Sequence, residues 1–529
     1  MSLPLRDFFR RHPAVGDALK WSVPALLCGM VLRGLLLSYL PYAHWGSDSR
    51  SYYYFAHQLL GEGYLSLGAK RRFLYPILMV PVSLLPGEPL RWVAWLQHGL
   101  GLASIVPLAY VLRKTLVHWR LSIVPITVLF TGLPIFLWYE HELLGEAVFF
   151  YALVWAFAGW VAWAQAGSRE RAARLCWCFF VPCALFLLTK PSGRFVLPGL
   201  AFGLVLAGLW RCWSRRQVCA GVALVCLLPA VGSREQGAWL LYVATFPLTQ
   251  LDSPLHAEHK VQIRDLVEPL RREIDVYYAQ DKQPFAFLEA PGRFTERPLW
   301  AALARDSRKK ERLYLDLAKE GILHEPWLFL YLGAQRIVAS ANLSAFKETK
   351  FDSRTEAGRF ADDYQAAQAD EARGRYSPVH RVFGIARSGK LPPWEEFQTW
   401  LSPRPDSWME RFILRYVRAS GHALDFTRLP QGPVSERSIL RGRLLFPGAW
   451  LLVALPLALL PTYRRTLGVW MLVAVGYLSG VFLVSQMSPR YFAPVWPILL
   501  VLLAVPLDVI ARVIVARLRS AKMETVECP

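Results

Sequence analysis

The chain has 529 residues, 54% of them hydrophobic and only 19% charged, yet it carries a formal net charge of +20. Typical globular domains hold about 25% charged residues, and here the apolar residues come in long runs. Those figures exclude a soluble enzyme and a disordered or fibrous chain, and they point to a polytopic membrane protein.

A bilayer span needs about 20 mostly apolar residues. The first run, Trp21 to Leu40, is longer than a signal-peptide core and lacks a small-residue cleavage site, so a retained anchor is expected. Arg33 sits inside it, a costly placement that implies a partner or a water-filled cavity. It is the only deeply placed charge that the sequence marks. Phe73–Leu85, interrupted by Pro76 and Pro81, is too short to span and predicts a helix lying at the interface. Further spans are expected near 91–112, 121–139, 147–165, 175–189, 195–210, 217–232, 444–461, 466–486 and 491–511. With the first, that makes about ten. Between them, 232–443 is polar and reads as helix-rich. Pro298 and Pro326 mark helix starts before Leu299–Leu317 and Trp327–Ala341. The eight cysteines read as small apolar residues and not as a metal or redox framework.

Orientation follows from the loops. With the amino terminus inside, the inner segments are basic: Arg6, Arg10, Arg11 and Lys20, then Arg113, Lys114 and Arg120, then Arg169, Arg171 and Arg174. Arg211, Arg215 and Arg216, then Arg464 and Arg465, then Arg512, Arg517, Arg519 and Lys522 continue the pattern. Most of the surplus charge is therefore an orientation code and gives no nucleic-acid signal. Three parts follow: a transmembrane module over 1–231, with interfacial helices in a first outer loop at 41–90; an extracytoplasmic domain at 232–443; and carboxy-terminal helices with a cytoplasmic tail at 444–529.

Chemistry-bearing residues cluster on the outer side. Asp48 precedes a helical run from Tyr52 to Leu60. It reads either as a cap of that helix or as a base that takes a proton from a hydroxyl. Lys70, Arg71 and Arg72 precede the interfacial helix with its Tyr75, and suit lipid head groups or bidentate phosphate recognition. Glu140, His141, Glu142 and Glu146 form an acidic loop, either plainly solvated or able to hold a divalent metal. Lys190 and Arg194 occupy the next outer loop, and Arg490 with Tyr491 the last; single basic residues there also serve as anchors. Acids and cations at loops joining many spans suit a substrate with a surface phosphate and a lipid tail.

The order and spacing of these pieces resemble the GT-C superfamily of integral-membrane glycosyltransferases, nearest to protein O-mannosyltransferases and bacterial lipid A aminoarabinose transferases. Asp48-Ser-Arg-Ser-Tyr52 with Gly61-Glu-Gly63-Tyr64 looks like the first-loop acidic motif and its juxtamembrane helix. Arg72-Phe-Leu-Tyr75-Pro76 resembles the second juxtamembrane helix, Leu143-Leu-Gly-Glu146 the second-loop acid, and Lys190-Pro191 and Arg490-Tyr491 the later membrane-edge motifs. The resemblance covers about residues 21–215 and the last spans. Two departures stand out. Asp48 is followed by Ser49 where mannosyltransferases commonly have a second acid, and Lys190 stands where relatives often have Arg.

The resemblance implies an all-α, GT-C-like fold in the bacterial inner membrane, with both termini inside and the site facing the periplasm. It implies a polyprenyl-phosphate-linked sugar as donor and a hydroxyl on a glycan, lipid or protein as acceptor. Asp48 would be the base. Lys190, Arg194 and Arg490, with Arg71 and Arg72, would bind the donor phosphate. Glu146 would orient the acceptor, the sugar or a metal, and Tyr52, Tyr75, His141, Glu142 and Tyr491 would contact substrate. The resemblance fixes no cofactor, and a divalent metal at the outer acids stays open. The rival is a transporter or flippase of an anionic prenyl lipid, which predicts broken helices and more intramembrane charge.

Overall fold

A computed structural model describes residues 13–45, 74–166, 169–197, 311–330, 348–386, 388–423, 447–484 and 492–524, with scattered single positions between them. Among the described residues the fold is helical, and no strand forms beyond one isolated bridge between His44 and Glu142.

Helix α1 (Pro13–Tyr39) is long enough to cross a bilayer, since backbone groups bonded within one helix need no water. It buries Leu32, Leu36 and Leu37, while Leu27, Met30 and Val31 stay at least half exposed, a face suited to lipid. Helix α2 (Leu74–Ser83) is the expected short helix at 73–85. Helices α3 (Pro89–Ala103) and α4 (Ile105–Thr115) make one apolar segment, because the backbone ladder continues through Ser104 N to Leu100 O at 3.1 Å.

Helices α5 (Ile123–Gly132) and α6 (Pro134–His141) meet at a bend of 45°. Pro134 causes it: proline lacks an N–H and pushes the preceding residue out of the helical region. Leu133 accordingly has ψ 122°. Helices α7 (Glu146–Ala164) and α8 (Arg169–Thr189) form a tight hairpin. Gly159 permits it, since any Cβ there would overlap the Cys178 carbonyl. Phe149 and Phe186 stack across the pair at 4.0 Å.

Past the middle of the chain come α9 (Glu311–His324), α10 (Ser353–Ala372), α11 (Trp394–Leu401) and α12 (Trp408–Ala423). Helix α9 runs beyond the end expected at Leu317, the start expected at Pro298 lies outside the described residues, and a helical turn begins at Pro326 as expected. Phe360, Tyr364, Phe383 and Phe397 give α10 and α11 a common aromatic core. Helix α12 packs along α1. The chain closes with α13 (Pro447–Ala458), α14 (Val469–Val484) and α15 (Trp496–Glu524).

Among the described residues, four segments are long and apolar enough to cross a membrane, or five if α5 and α6 count as one. The expected spans at 175–189 and 466–486 appear as shorter apolar helices, and the one at 444–461 as a helix of 12 residues. Residues 206–232, which include the expected span at 217–232, lie outside the described residues, as does most of 195–210 beyond its first turns.

The spans share two ends. At one, Arg113 pairs with Asp17, and Asp508 of α15 accepts the backbone N–H groups of Val117, His118 and Trp119 together with the Tyr463 hydroxyl. At the other lie His44, Glu142, Glu146 and Lys190.

Candidate functional site

The His44 end is built from four chain segments. After α1 the chain extends, and His44 N donates to His141 O at 2.6 Å while its carbonyl accepts from Leu143 N at 2.9 Å. The His44 ring lies 4.6 Å from that of Trp138, whose indole N–H donates to Glu142 Oε2 at 3.0 Å. Gln97 of α3 clamps the same loop. Its Nε2 donates to the carbonyls of Glu140 and Glu142, and its Oε1 accepts the Tyr75 hydroxyl at 2.9 Å. Tyr75 in turn packs edge-on against Tyr52 at 5.1 Å. Two of the expected substrate-contacting tyrosines are thereby brought together, and both are buried. Next to Tyr52, burial pushes the Tyr53 hydroxyl up to about 12, so it stays a neutral donor at ordinary pH.

Glu146 opens α7 and Lys190 follows α8, and their side chains form a buried ion pair. The local reasons are clear. An acid favours the first turn of a helix and a cation favours the carboxyl end, so each residue suits its own helix before they meet. Lys190 also lies 5.8 Å from the centre of the Phe149 ring. The sequence assigns these two residues separate tasks, whereas the structure couples them.

Glu140 and His141 differ from expectation. The acidic segment is not one solvated loop, because both residues finish α6 and are fully buried. Glu140 is the partner that Arg33 requires. Arg33 Nη2 donates to Oε1 at 2.6 Å and Nε to Oε2 at 2.7 Å. His98 Nδ1 shares Oε2 at 2.7 Å, and the Tyr151 hydroxyl donates to Oε1. Two oxygens with four lone pairs accept four bonds, so Glu140 has no capacity left for a substrate or metal. His141 points inward as well, with Nδ1 3.2 Å from His98 Nε2.

Gln97, His98, Glu140 and Tyr151 carry no role in the sequence reading. The signal for the first two is a polar pair inside the apolar run 91–112. Among the described residues no group of three or more His, Cys, Asp or Glu is placed to hold a metal. Asp48, Arg71, Arg72, Arg490 and Tyr491 lie outside the described residues, as does the Arg194 side chain, although the Arg194 backbone forms part of a 3-10 turn after Lys190. Comparison with models of known families and with curated proteins returns no match.

Proposed function

We infer that the chain is a membrane glycosyltransferase that moves a sugar from a polyprenyl-phosphate donor to an acceptor hydroxyl. The reading places the His44 end at the outer face of a bacterial inner membrane, within a ten-span, GT-C-like fold. The observation that carries it is the buried Glu146–Lys190 pair, which lies at the same end of the spans as Tyr52, Tyr75 and Glu142. A cation held at a membrane edge beside an acid suits a reaction whose leaving group is a lipid phosphate.

The step is a single displacement. The acceptor oxygen attacks the anomeric carbon, and its proton passes to Asp48. The bond from that carbon to the phosphate oxygen breaks, and the electron pair leaves with the lipid phosphate. Lys190, with Arg194 and Arg490 and more weakly Arg71 and Arg72, offsets the charge that develops there. A phosphate arriving at Lys190 competes with Glu146, so donor binding frees the Glu146 carboxylate to hold the acceptor or the sugar.

The test incubates purified protein with a panel of polyprenyl-phosphate sugars and measures release of polyprenyl phosphate. Asp48→Asn is expected to remain folded and to lose transfer; full activity in that variant sinks the assignment. A second reading, transport of an anionic lipid, gains from the broken span α5–α6 and from the charged cluster around Glu140. It predicts movement of labelled polyprenyl phosphate between leaflets with no bond cleaved.

A further inference from the structure

Helix α12 presents two opposite faces. Ile413 and Val417 are fully buried and Met409 nearly so, on the side that packs along α1. Arg411, Arg415 and Arg418 are exposed, and their i, i+4, i+7 spacing puts them on one stripe pointing away from α1. Beside that stripe Trp408 is 62% exposed and Phe412 46%.

The depth of the stripe follows from one hydrogen bond. The Tyr416 hydroxyl donates to the Gly132 carbonyl, which the bend at Leu133 leaves without its helical partner. Its neighbour Thr131 is held by Arg33 of α1. Arg33 lies six residues before Tyr39 at the end of α1, or about 9 Å along the axis. A helix of 27 residues is about 40 Å long, against a hydrocarbon core of about 30 Å. If α1 spans a bilayer, Arg415 therefore lies near the boundary between head groups and acyl chains, with Arg411 a turn shallower and Arg418 deeper. Arginines at that boundary, flanked by exposed aromatic rings, meet the phosphates of surrounding lipids.

We propose that the Arg411–Arg415–Arg418 stripe of α12 is a binding site for the phosphate of an anionic bilayer phospholipid, whose chains lie against the exposed Phe412 ring beside it. The site is separate from the Glu146–Lys190 pair, and it rests on the membrane-spanning reading of α1, not on glycosyl transfer. Bulk phospholipid is the occupant because the three arginines are exposed on the side of α12 opposite α1.

The experiment is native mass spectrometry of the detergent-purified chain with added phosphatidylglycerol, phosphatidylcholine or a polyprenyl monophosphate. Phosphatidylglycerol is expected to bind in preference to phosphatidylcholine. Each arginine near a membrane surface contributes about fivefold, so R415Q/R418Q is expected to lose about 25-fold of that affinity. Unchanged thermal unfolding of the variant shows that the fold is kept, and should the pair fail to fold, R415Q alone carries the test at about fivefold. Equal binding of the two phospholipids, undiminished binding in the variant, or retention of the polyprenyl phosphate alone overturns the proposal. A chain absent from the membrane fraction overturns the spanning reading instead, and loss of sugar transfer with lipid binding intact counts only against the transferase.

Discussion

Arg33 illustrates how one buried charge organises its surroundings. Its guanidinium meets Glu140 along two parallel bonds and also holds the Thr131 hydroxyl and carbonyl. Breaking such a pair from one side costs about 3–5 kcal/mol because the other charge is left buried alone. Glu140→Gln is therefore expected to lower thermal stability strongly in detergent. The double variant Arg33→Met, Glu140→Leu is expected to recover only part of the loss, because the buried His98 ring and Tyr151 hydroxyl lose their acceptor. A double variant less stable than Glu140→Gln alone would show that the charges themselves are required. Space is as constrained as charge here. A Cβ on Gly101 would overlap Oε1 of Glu140, so Gly101→Ala is expected to destabilise by about 1–3 kcal/mol in the same unfolding assay.

The sequence announced Arg33 as anomalous but did not name its partner. A carboxylate 107 positions away leaves no local trace, and Glu140 shares a run with two other acids that look alike in one dimension. What separates them is the helix phase set by Pro134: Glu140 is turned inward, Glu142 meets Trp138, and Glu146 begins the next helix. Lys190 and Glu146 each stand out in the sequence, Lys190 because it is a cation in a loop read as outer and Glu146 because it closes an acidic run before an apolar one. Their pairing was not, since it depends on how closely α7 and α8 pack.

At the scale of elements, the turn after α4 is held by a residue far along the chain. Asp508 is fully buried, and its carboxylate accepts His118 N and Trp119 N at 2.6 Å, Val117 N at 3.1 Å and the Tyr463 hydroxyl at 2.7 Å. Those N–H groups precede a new helix and have no partners of their own. Asp508→Ala leaves the buried Tyr463 hydroxyl and three part-buried backbone donors without their acceptor, at about 1–3 kcal/mol for each that water does not reach. It is expected to loosen the turn, seen as faster amide exchange at 117–119 and a lower unfolding temperature. Asp508→Asn keeps acceptor oxygen and is expected to lose less. Periodicity exposed the helices around this turn, since apolar runs report themselves. The tie between the turn after α4 and the last span escaped it, because a single aspartate in a run of 26 residues reads only as an imperfection.

Among the described residues, Asp17, Arg113 and Asp508 gather at one end of the long apolar helices and His44, Glu142 and Lys190 at the other. The proposed orientation puts the first set inside. Single cysteines introduced into a cysteine-free background at Gln165 and at Glu88 would test it. An impermeant thiol reagent added to intact spheroplasts is expected to label the cysteine at 88 and to spare the one at 165 until the membrane is opened. The reverse pattern would invert the topology and place the Glu146–Lys190 pair in the cytoplasm.

The broken span also has a consequence for the order of synthesis. Arg33 leaves the ribosome 107 residues ahead of Glu140, a delay of about 5–20 s at ordinary elongation rates. The Gly132 carbonyl waits a further 284 residues for the Tyr416 hydroxyl. Until those partners arrive, α1 holds an uncompensated cation and α5 an unmet carbonyl, so neither can settle where it ends. The first helix to be made is thus among the last to be completed. A nascent chain arrested before Glu140 should expose α1 to extraction that the finished protein resists.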